Sequence, residues 1–310
     1  MENILGFQSH TGVGRIAPKI YGTEGPILIL IHSIKDQSSR YIPFAKAMEA
    51  YGMRTILFDL PGHGSCVDEE DDYGYFGEKE EIGLIEDLND LVEKTKSHFQ
   101  EEDVFLIGQG FGASLGRVYL YLFPEAVRGA VFSGTESPNF FTRGILRINE
   151  EVIRENGDRY RSEQMDRILY DHYNKKIEDP KTDYDWISRE EKIVEDYIQD
   201  EKNTILPTGN EIKVHYTLMR EANSINWFQE VEDIPMFFIA GSADPVGDYG
   251  KGILEMLNRL KEEGKLLSDG VIYRDGRHDL LNEINKEEIF ADIYQWIEET
   301  VLQTQKKNLG

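Results

Sequence analysis

Residues 104–112 read Val-Phe-Leu-Ile-Gly-Gln-Gly-Phe-Gly, and the folding of this run decides the architecture of the chain. Val104–Gly108 is short, apolar and unbroken, the pattern of a strand buried on both faces of a parallel sheet. Glycines at alternate positions follow, and Phe111–Phe123 then takes up a helical spacing. The predicted unit is a strand that turns sharply into a helix packed close against it. Working outward, similar apolar runs occur at Ile27–His32, Thr55–Asp59, Ala130–Ser133, Met236–Ala240 and Val271–Arg274. Helix-period segments lie between or after them, at Tyr41–Tyr51, Ile82–Phe99, Tyr249–Glu263 and Lys286–Leu302. Alternating strands and helices specify an α/β layered fold with a mostly parallel sheet.

One long stretch breaks the alternation. Glu136 to Asp233 contains no convincing strand pair and reads as helices over about Arg143–Glu155, Tyr160–Tyr170, Ser188–Gln199 and Glu211–Ala222. Ser188…Glu191 and Thr208…Glu211 match the capping box, in which each side chain satisfies an orphan backbone donor. A helical insertion above the carboxyl edge of a parallel sheet covers the place where open α/β folds bind ligands, so it reads as a lid.

Composition narrows the partners. The 310 residues carry 34 Lys+Arg and 58 Asp+Glu, a formal charge of −24, which argues against nucleic acid or an anionic membrane as a binding surface. Hydrophobic residues at 40% and charged residues at 30% suit a soluble folded domain. The longest apolar run, Ile27–Ile31, is far short of a membrane span, and no signal-peptide pattern opens the chain. The single cysteine, Cys66, excludes an intrachain disulfide and fits a cytoplasmic setting. Asp68–Asp72 lacks the ligand spacing of a calcium loop, and no histidine cluster of the H-E-x-x-H type is present, so no metal or other cofactor is expected.

Three strand-following loops carry the chemistry. Gly108-Gln109-Gly110-Phe111-Gly112 has the frame of a nucleophile elbow, G-x-S-x-G, with Gly110 where serine would stand. Gly241-Ser242-Ala243-Asp244-Pro245 and Gly276-Arg277-His278-Asp279 follow later strands. The order elbow, Asp244, His278 is nucleophile, acid, histidine; a carboxylate on one imidazole nitrogen fixes the tautomer that makes the other a general base. Upstream, His32-Ser33-Ile34 follows a strand where an oxyanion loop belongs. The backbone N–H groups of Ile34 and Phe111 are the expected oxyanion donors.

Together with Arg40-Tyr41, Asp59-Leu60-Pro61-Gly62-His63-Gly64, Gly241 to Tyr249 and Gly276 to Glu283, these pieces resemble the monoacylglycerol lipase and lysophospholipase-like branch of the α/β-hydrolases, also called serine-aminopeptidase-like. The resemblance spans about Gly14 to Leu302. It implies an α/β-hydrolase core over 1–135 and 234–310, with a helical lid over 136–233. It also implies carboxylic-ester hydrolysis of acyl glycerols, lysophospholipids or similar small acyl esters. In that branch the elbow usually reads Gly-His-Ser-x-Gly and the oxyanion loop His-Gly, whereas this chain has Gln109, Gly110 and Ser33.

Without an Oγ at position 110 no acyl-enzyme forms there, so covalent hydrolysis through the elbow is expected to be lost. Glycine adopts positive φ without strain, so Gly110 is expected to relax the elbow and leave the pocket beside His278 empty. Two alternatives follow: a pseudohydrolase that binds a small ligand or a partner protein, and a His278–Asp244 pair acting without a nucleophile. Ser33 at the pocket rim and Cys66 are conceivable displaced nucleophiles, with Cys66 better read as a small buried residue. His32 and His63 read as loop supports, Asp279 and Glu283 as helix-start or solvent-facing residues. Trp186, Trp227, Tyr160, Tyr170, Tyr173 and Tyr184 are candidate pocket-lining aromatics.

Overall fold

The computed structural model describes residues 4–67, 69–136 and 142–309, with side chains to residue 302. A two-stranded hairpin, β1 (Phe7–Gln8) and β2 (Arg15–Ile16), precedes β3 (Lys19–Tyr21), β4 (Ile27–Ile31), α1 (Ile42–Ala50) and β5 (Arg54–Leu57). Then come α2 (Glu80–Phe99), β6 (Val104–Gln109), α3 (Phe111–Leu122) and β7 (Gly129–Ser133). Six helices follow: α4 (Thr142–Asn156), α5 (Glu163–Tyr170), α6 (Glu191–Gln199), α7 (Glu201–Thr204), α8 (Gly209–Ala222) and α9 (Ile225–Glu230). The chain returns through β8 (Met236–Gly241), α10 (Lys251–Glu262), β9 (Ser268–Tyr273) and α11 (Lys286–Leu309).

Seven strands form one sheet in the order β3-β5-β4-β6-β7-β8-β9. β3 runs antiparallel to β5, and the remaining pairings are parallel. Each strand of the sheet centre is buried on both faces, and its side chains alternate between two cores. Ile27, Ile29 and Ile31 pack with Leu88, Leu91, Leu115 and Val118 of α2 and α3. Leu28 and Leu30 pack with Phe44 and Met48 of α1 and with Ile289, Phe290 and Ile293 of α11. This is the α/β-hydrolase arrangement, a mostly parallel sheet flanked by helices. Its register places the site: Ile31 pairs with Gly108, Gln109 with Ser133, and Gly241 with Tyr273. The loops after β4, β6, β7, β8 and β9 therefore converge on the carboxyl edge.

The helices between β7 and β8 have their own apolar cluster, with Ile145 and Leu146 of α4 against Met165, Leu169, Ile212, Tyr216 and Met219. Thr208 caps α8 as expected, accepting from the Glu211 N–H at 3.0 Å. The reciprocal half of that box is missing, because the Glu211 carboxylate turns to His63 instead. The expected cap at Ser188 does not form. The N-cap of α6 is Glu190, and the Ser188 hydroxyl accepts from the Glu190 N–H and donates to the Asn282 carbonyl. Ser162, Asp200 and Ser224 cap α5, α7 and α9, caps that patterning missed. The first residues of the expected 136–233 insertion, 137–141, lie outside the described residues, as does Asp68 of the acidic stretch. Among the described residues no helix is long and apolar enough to cross a membrane.

Candidate active site

The elbow forms as its glycines demand. A β-carbon at 108 would meet the Gly112 carbonyl oxygen at 2.5 Å, and one at 112 would meet the Ile31 carbonyl oxygen at 2.1 Å. The strand, the helix and the neighbouring strand β4 are therefore pressed together at this turn. Gly110 sits between with φ +54° and ψ −115°, an elbow geometry that would strain a residue with a side chain and that glycine takes freely.

His278, in the loop after β9, faces this turn. Its Nδ1 lies 3.2 and 3.1 Å from the two carboxylate oxygens of Asp244, which is wholly buried and which also accepts from the Val246 N–H at 2.9 Å. The loop is pinned at both ends of the residue. The His278 N–H donates to the Trp186 carbonyl at 3.2 Å, and Gln109 Nε2 donates to the His278 carbonyl at 3.1 Å. Burial alone pushes the imidazole pKa down. The Asp244 carboxylate, by charge and hydrogen bond, outweighs it with help from Asp279 and Glu136, so the pKa lies above its ordinary value.

The expectation of an empty pocket beside His278 is corrected here. A β-carbon at position 110 would lie 2.6 Å from Ser33 Oγ and 3.1 Å from His278 Nε2. The Ser33 hydroxyl stands against the place of that β-carbon and accepts a hydrogen bond from the Phe111 N–H at 3.2 Å. The β4 loop holds it there. His32 Nδ1 donates to the Ser33 carbonyl at 2.6 Å while its Nε2 accepts from the Leu60 N–H at 3.0 Å, and the Ser33 N–H reaches Asp36 at 3.4 Å. Asp36 is itself fixed by Arg40 Nη1 at 2.6 Å and the Tyr41 hydroxyl at 2.5 Å.

The cavity in front of these groups measures about 50 Å³, room for a few water molecules or a short acyl group. Tyr170, Tyr173, Tyr184 and Trp186 line it, as expected, and Tyr197 joins them. Trp227 and Tyr160 do not. Trp227 is buried with its ring N–H donating to the Arg117 carbonyl at 2.8 Å and the Arg117 guanidinium 4.3 Å over its face, while Tyr160 faces solvent. Opposite His278, Glu136 pairs with His215 and both reach the cavity wall. Sequence reading missed this pair, although Glu136 follows β7 at the same sheet edge as the other loops. Lys35 also lines the cavity, ion-paired to Asp166 at 2.9 Å.

The chain matches the family model described as serine aminopeptidase, S33, over residues 24–285. It belongs to that family of α/β-hydrolases. A thermostable carboxyl esterase from Bacillus coagulans, solved with glycerol, superposes with a TM-score of 0.89 at 25% identity over 96% of this chain and 97% of its own. A soluble variant of monoglyceride lipase from Saccharomyces cerevisiae, solved with a substrate analogue, gives 0.75 at 16% identity over 93% and 92%. A monoacylglycerol lipase from Paleococcus ferrophilus gives 0.67 at 18% over 92% and 99%. No curated protein matches the chain at the level of sequence.

Within this α/β-hydrolase frame the other sequence expectations sort clearly. His32 supports the loop after β4, through the Ser33 carbonyl and the Leu60 N–H. His63 holds its own turn through Pro61 at 3.0 Å and also reaches Glu211 at 3.1 Å. Cys66 is buried. Asp279 and Glu283 were expected at a helix start or in solvent; both are buried, and Asp279 does stand at the start of the short 3-10 helix Leu280–Asn282, though its side chain makes no capping bond there. Asp279 is buried against Arg40 Nη2 at 2.6 Å. Glu283, fully buried, accepts from the Arg189 N–H and Nε and from the Arg277 N–H, stapling the helical segment to the His278 loop. The acidic stretch forms a short turn at Glu70–Asp72, and the described residues contain no group of three or more His, Cys, Asp or Glu arranged for a metal.

Proposed function

We propose that the cavity under the helical segment, acting as a lid over 136–233, binds a small acyl ester of the monoacylglycerol or lysophospholipid kind with a short acyl chain. In this reading His278 is the acid–base group, Asp244 orients it, the N–H groups of Ile34 and Phe111 are the oxyanion donors, and no acyl-enzyme forms at Gly110. The observation that carries it is the buried Asp244–His278 pair with Nε2 aimed at a turn whose backbone has the positive-φ geometry of a nucleophile elbow. A chain that only packed an α/β core would have no use for that arrangement. Esters fit better than charged metabolites because a group of tyrosine and tryptophan side chains lines the wall, and its charged Lys35, Asp36, Arg40, Glu136 and Asp279 are each paired already. The lone cysteine supports a reducing, cytoplasmic setting.

The Phe111 N–H already spent on Ser33 favours a second reading, a pseudohydrolase that holds its ligand without turnover. Trp186, in the cavity wall 5.2 Å from the His278 ring, gives a direct test of binding. Short-chain monoacylglycerols and p-nitrophenyl esters should change tryptophan emission in the parent chain and much less in Trp186→Phe. An emission unchanged by every ester up to its solubility limit would sink the small-ester reading.

A further inference from the structure

We infer that the nucleophile has been transferred rather than lost: Ser33, at the end of β4, stands in for the missing elbow serine and is the group His278 activates. This rests on the ester-site reading above and deepens it. The first support is position. Ser33 Oγ and His278 Nε2 flank one point, the place of a β-carbon at 110, at 2.6 and 3.1 Å. Both groups therefore reach the same point, and catalytic contacts are commonly loose before substrate binds.

The second support is the symmetry of the donors. The expected oxyanion N–H groups belong to Phe111, which follows position 110, and to Ile34, which follows position 33. Moving the hydroxyl from one loop to the other leaves both donors in place with their roles exchanged. Ile34 becomes the residue after the nucleophile and Phe111 the donor from the facing loop. The third support is fit. With the Ser33 hydroxyl where it stands there is no room for a β-carbon at 110, so glycine at 110 is what lets the hydroxyl take this place unmoved.

In this mechanism Ser33 Oγ attacks the ester carbonyl carbon as its proton passes to His278 Nε2. The carbonyl electrons move onto oxygen, and the Phe111 N–H leaves Ser33 Oγ for this oxyanion beside Ile34. Collapse breaks the bond to the alcohol, which takes the proton from His278 and departs. Water then attacks the acyl-Ser33 ester and gives a proton to His278. The second collapse returns that proton to Ser33 Oγ and releases the carboxylic acid. One ester and one water give one acid and one alcohol.

The test uses the full chain, p-nitrophenyl butyrate, and a fluorophosphonate probe with peptide mapping by mass spectrometry. The expected result is measurable turnover, a single adduct on the peptide containing Ser33, and a loss of at least about 100-fold in both readouts for Ser33→Ala and for His278→Ala. Ser33→Ala removes one atom, and an unchanged melting temperature confirms that it folds. Turnover that survives Ser33→Ala but not His278→Ala overturns the inference in favour of direct attack by water, and an adduct on any other residue overturns it too. The double variant Ser33→Gly/Gly110→Ser separates the remaining cases. If the parent is inert and this variant turns over, the transfer is wrong and the ester site stands. If both are inert, both readings fall.

Discussion

The loops after β4 and β6 leave adjacent strands at the same level and meet across one small cavity, yet the side chains they bring there are opposite in kind. The β6 turn keeps the positive-φ elbow geometry at Gly110 and presents nothing from it. The β4 loop presents the Ser33 hydroxyl and anchors it through His32 and the Asp36–Arg40–Tyr41 cluster. What the structure shows at this junction is close backbone packing, the glycine contacts that press β6, α3 and β4 together; the two proposed oxyanion N–H groups would come one from each loop. A hydroxyl can be supplied to that frame from either side. An α/β-hydrolase without its elbow serine is therefore not read correctly until the residue facing the gap has been placed.

The largest expected effect lies in what the two loops share. Asp244→Asn should lower turnover of p-nitrophenyl butyrate by roughly 10³–10⁴-fold, because the amide holds the imidazole in the wrong tautomer whichever loop carries the hydroxyl. A loss of less than tenfold would show that His278 is not the working base, and the comparison of the two loops would lose its chemical meaning.

Next in size is the coupling between the loops themselves. Gly110→Ser puts a β-carbon 2.6 Å from Ser33 Oγ and a non-glycine residue at φ +54°. Backbone strain of about 1–3 kcal/mol adds to the cost of displacing Ser33 from the Phe111 N–H. In a urea-denaturation cycle, Ser33→Gly/Gly110→Ser should be more stable than the two single changes predict by about 1–2 kcal/mol. Additive effects would mean that the two residues do not compete for one space.

Much of this was legible before any coordinates. The central strands announce themselves because Ile27–Ile31, Val104–Gln109 and Met236–Gly241 are buried at every position, so burial on both faces writes an unbroken apolar run. The outer strands hide for the converse reason. Lys19 and Ile20 of β3 are exposed, and β9 alternates between half-buried and exposed from Ser268, so its polar first half reads as loop. Asp244 and His278 were readable from order alone, since each follows a late strand. The meeting of Ser33 with position 110 was not. It depends on the Ile31–Gly108 register and on the turn of the β4 loop, and neither leaves a local signal. Glu136 and His215 are 79 residues apart and are joined only by the fold of the helical segment.

A smaller effect sharpens the comparison by pH. His278 has its pKa raised by Asp244, so as a base it becomes available only as pH rises through a value above 6.5. The acidic limb of the pH–rate profile should lie there in the parent chain. In the residual activity of Asp244→Asn it should move to lower pH, because burial remains and the largest raising charge is gone, leaving only those of Asp279 and Glu136. Stability carries the matching sign. The ion pair contributes fully below the unfolded value of 6.5 and its contribution fades as pH rises through the folded one. The stability gap between parent and Asp244→Asn should therefore narrow with rising pH, and a gap that widens would contradict the assigned pair.

The smallest expected effect concerns Gln109, the third departure at the elbow, and it asks whether the two loops are tuned by their neighbours or only by each other. Gln109 Nε2 donates to the His278 carbonyl, while its Oε1 is buried and accepts no hydrogen bond among the described residues. The carbonyl has a second donor in the Leu280 N–H at 3.2 Å. Gln109→Met keeps the length and packing, gives up one hydrogen bond worth about 0.5–1.5 kcal/mol net, and removes an unpartnered acceptor of comparable cost. The two nearly cancel, so stability should change by less than about 1 kcal/mol in the same urea measurement, and ester turnover by less than about tenfold. A loss approaching that of Asp244→Asn would show instead that Gln109 sets the position of His278, and the site would then be a three-loop device in which neither the β4 nor the β6 loop is sufficient.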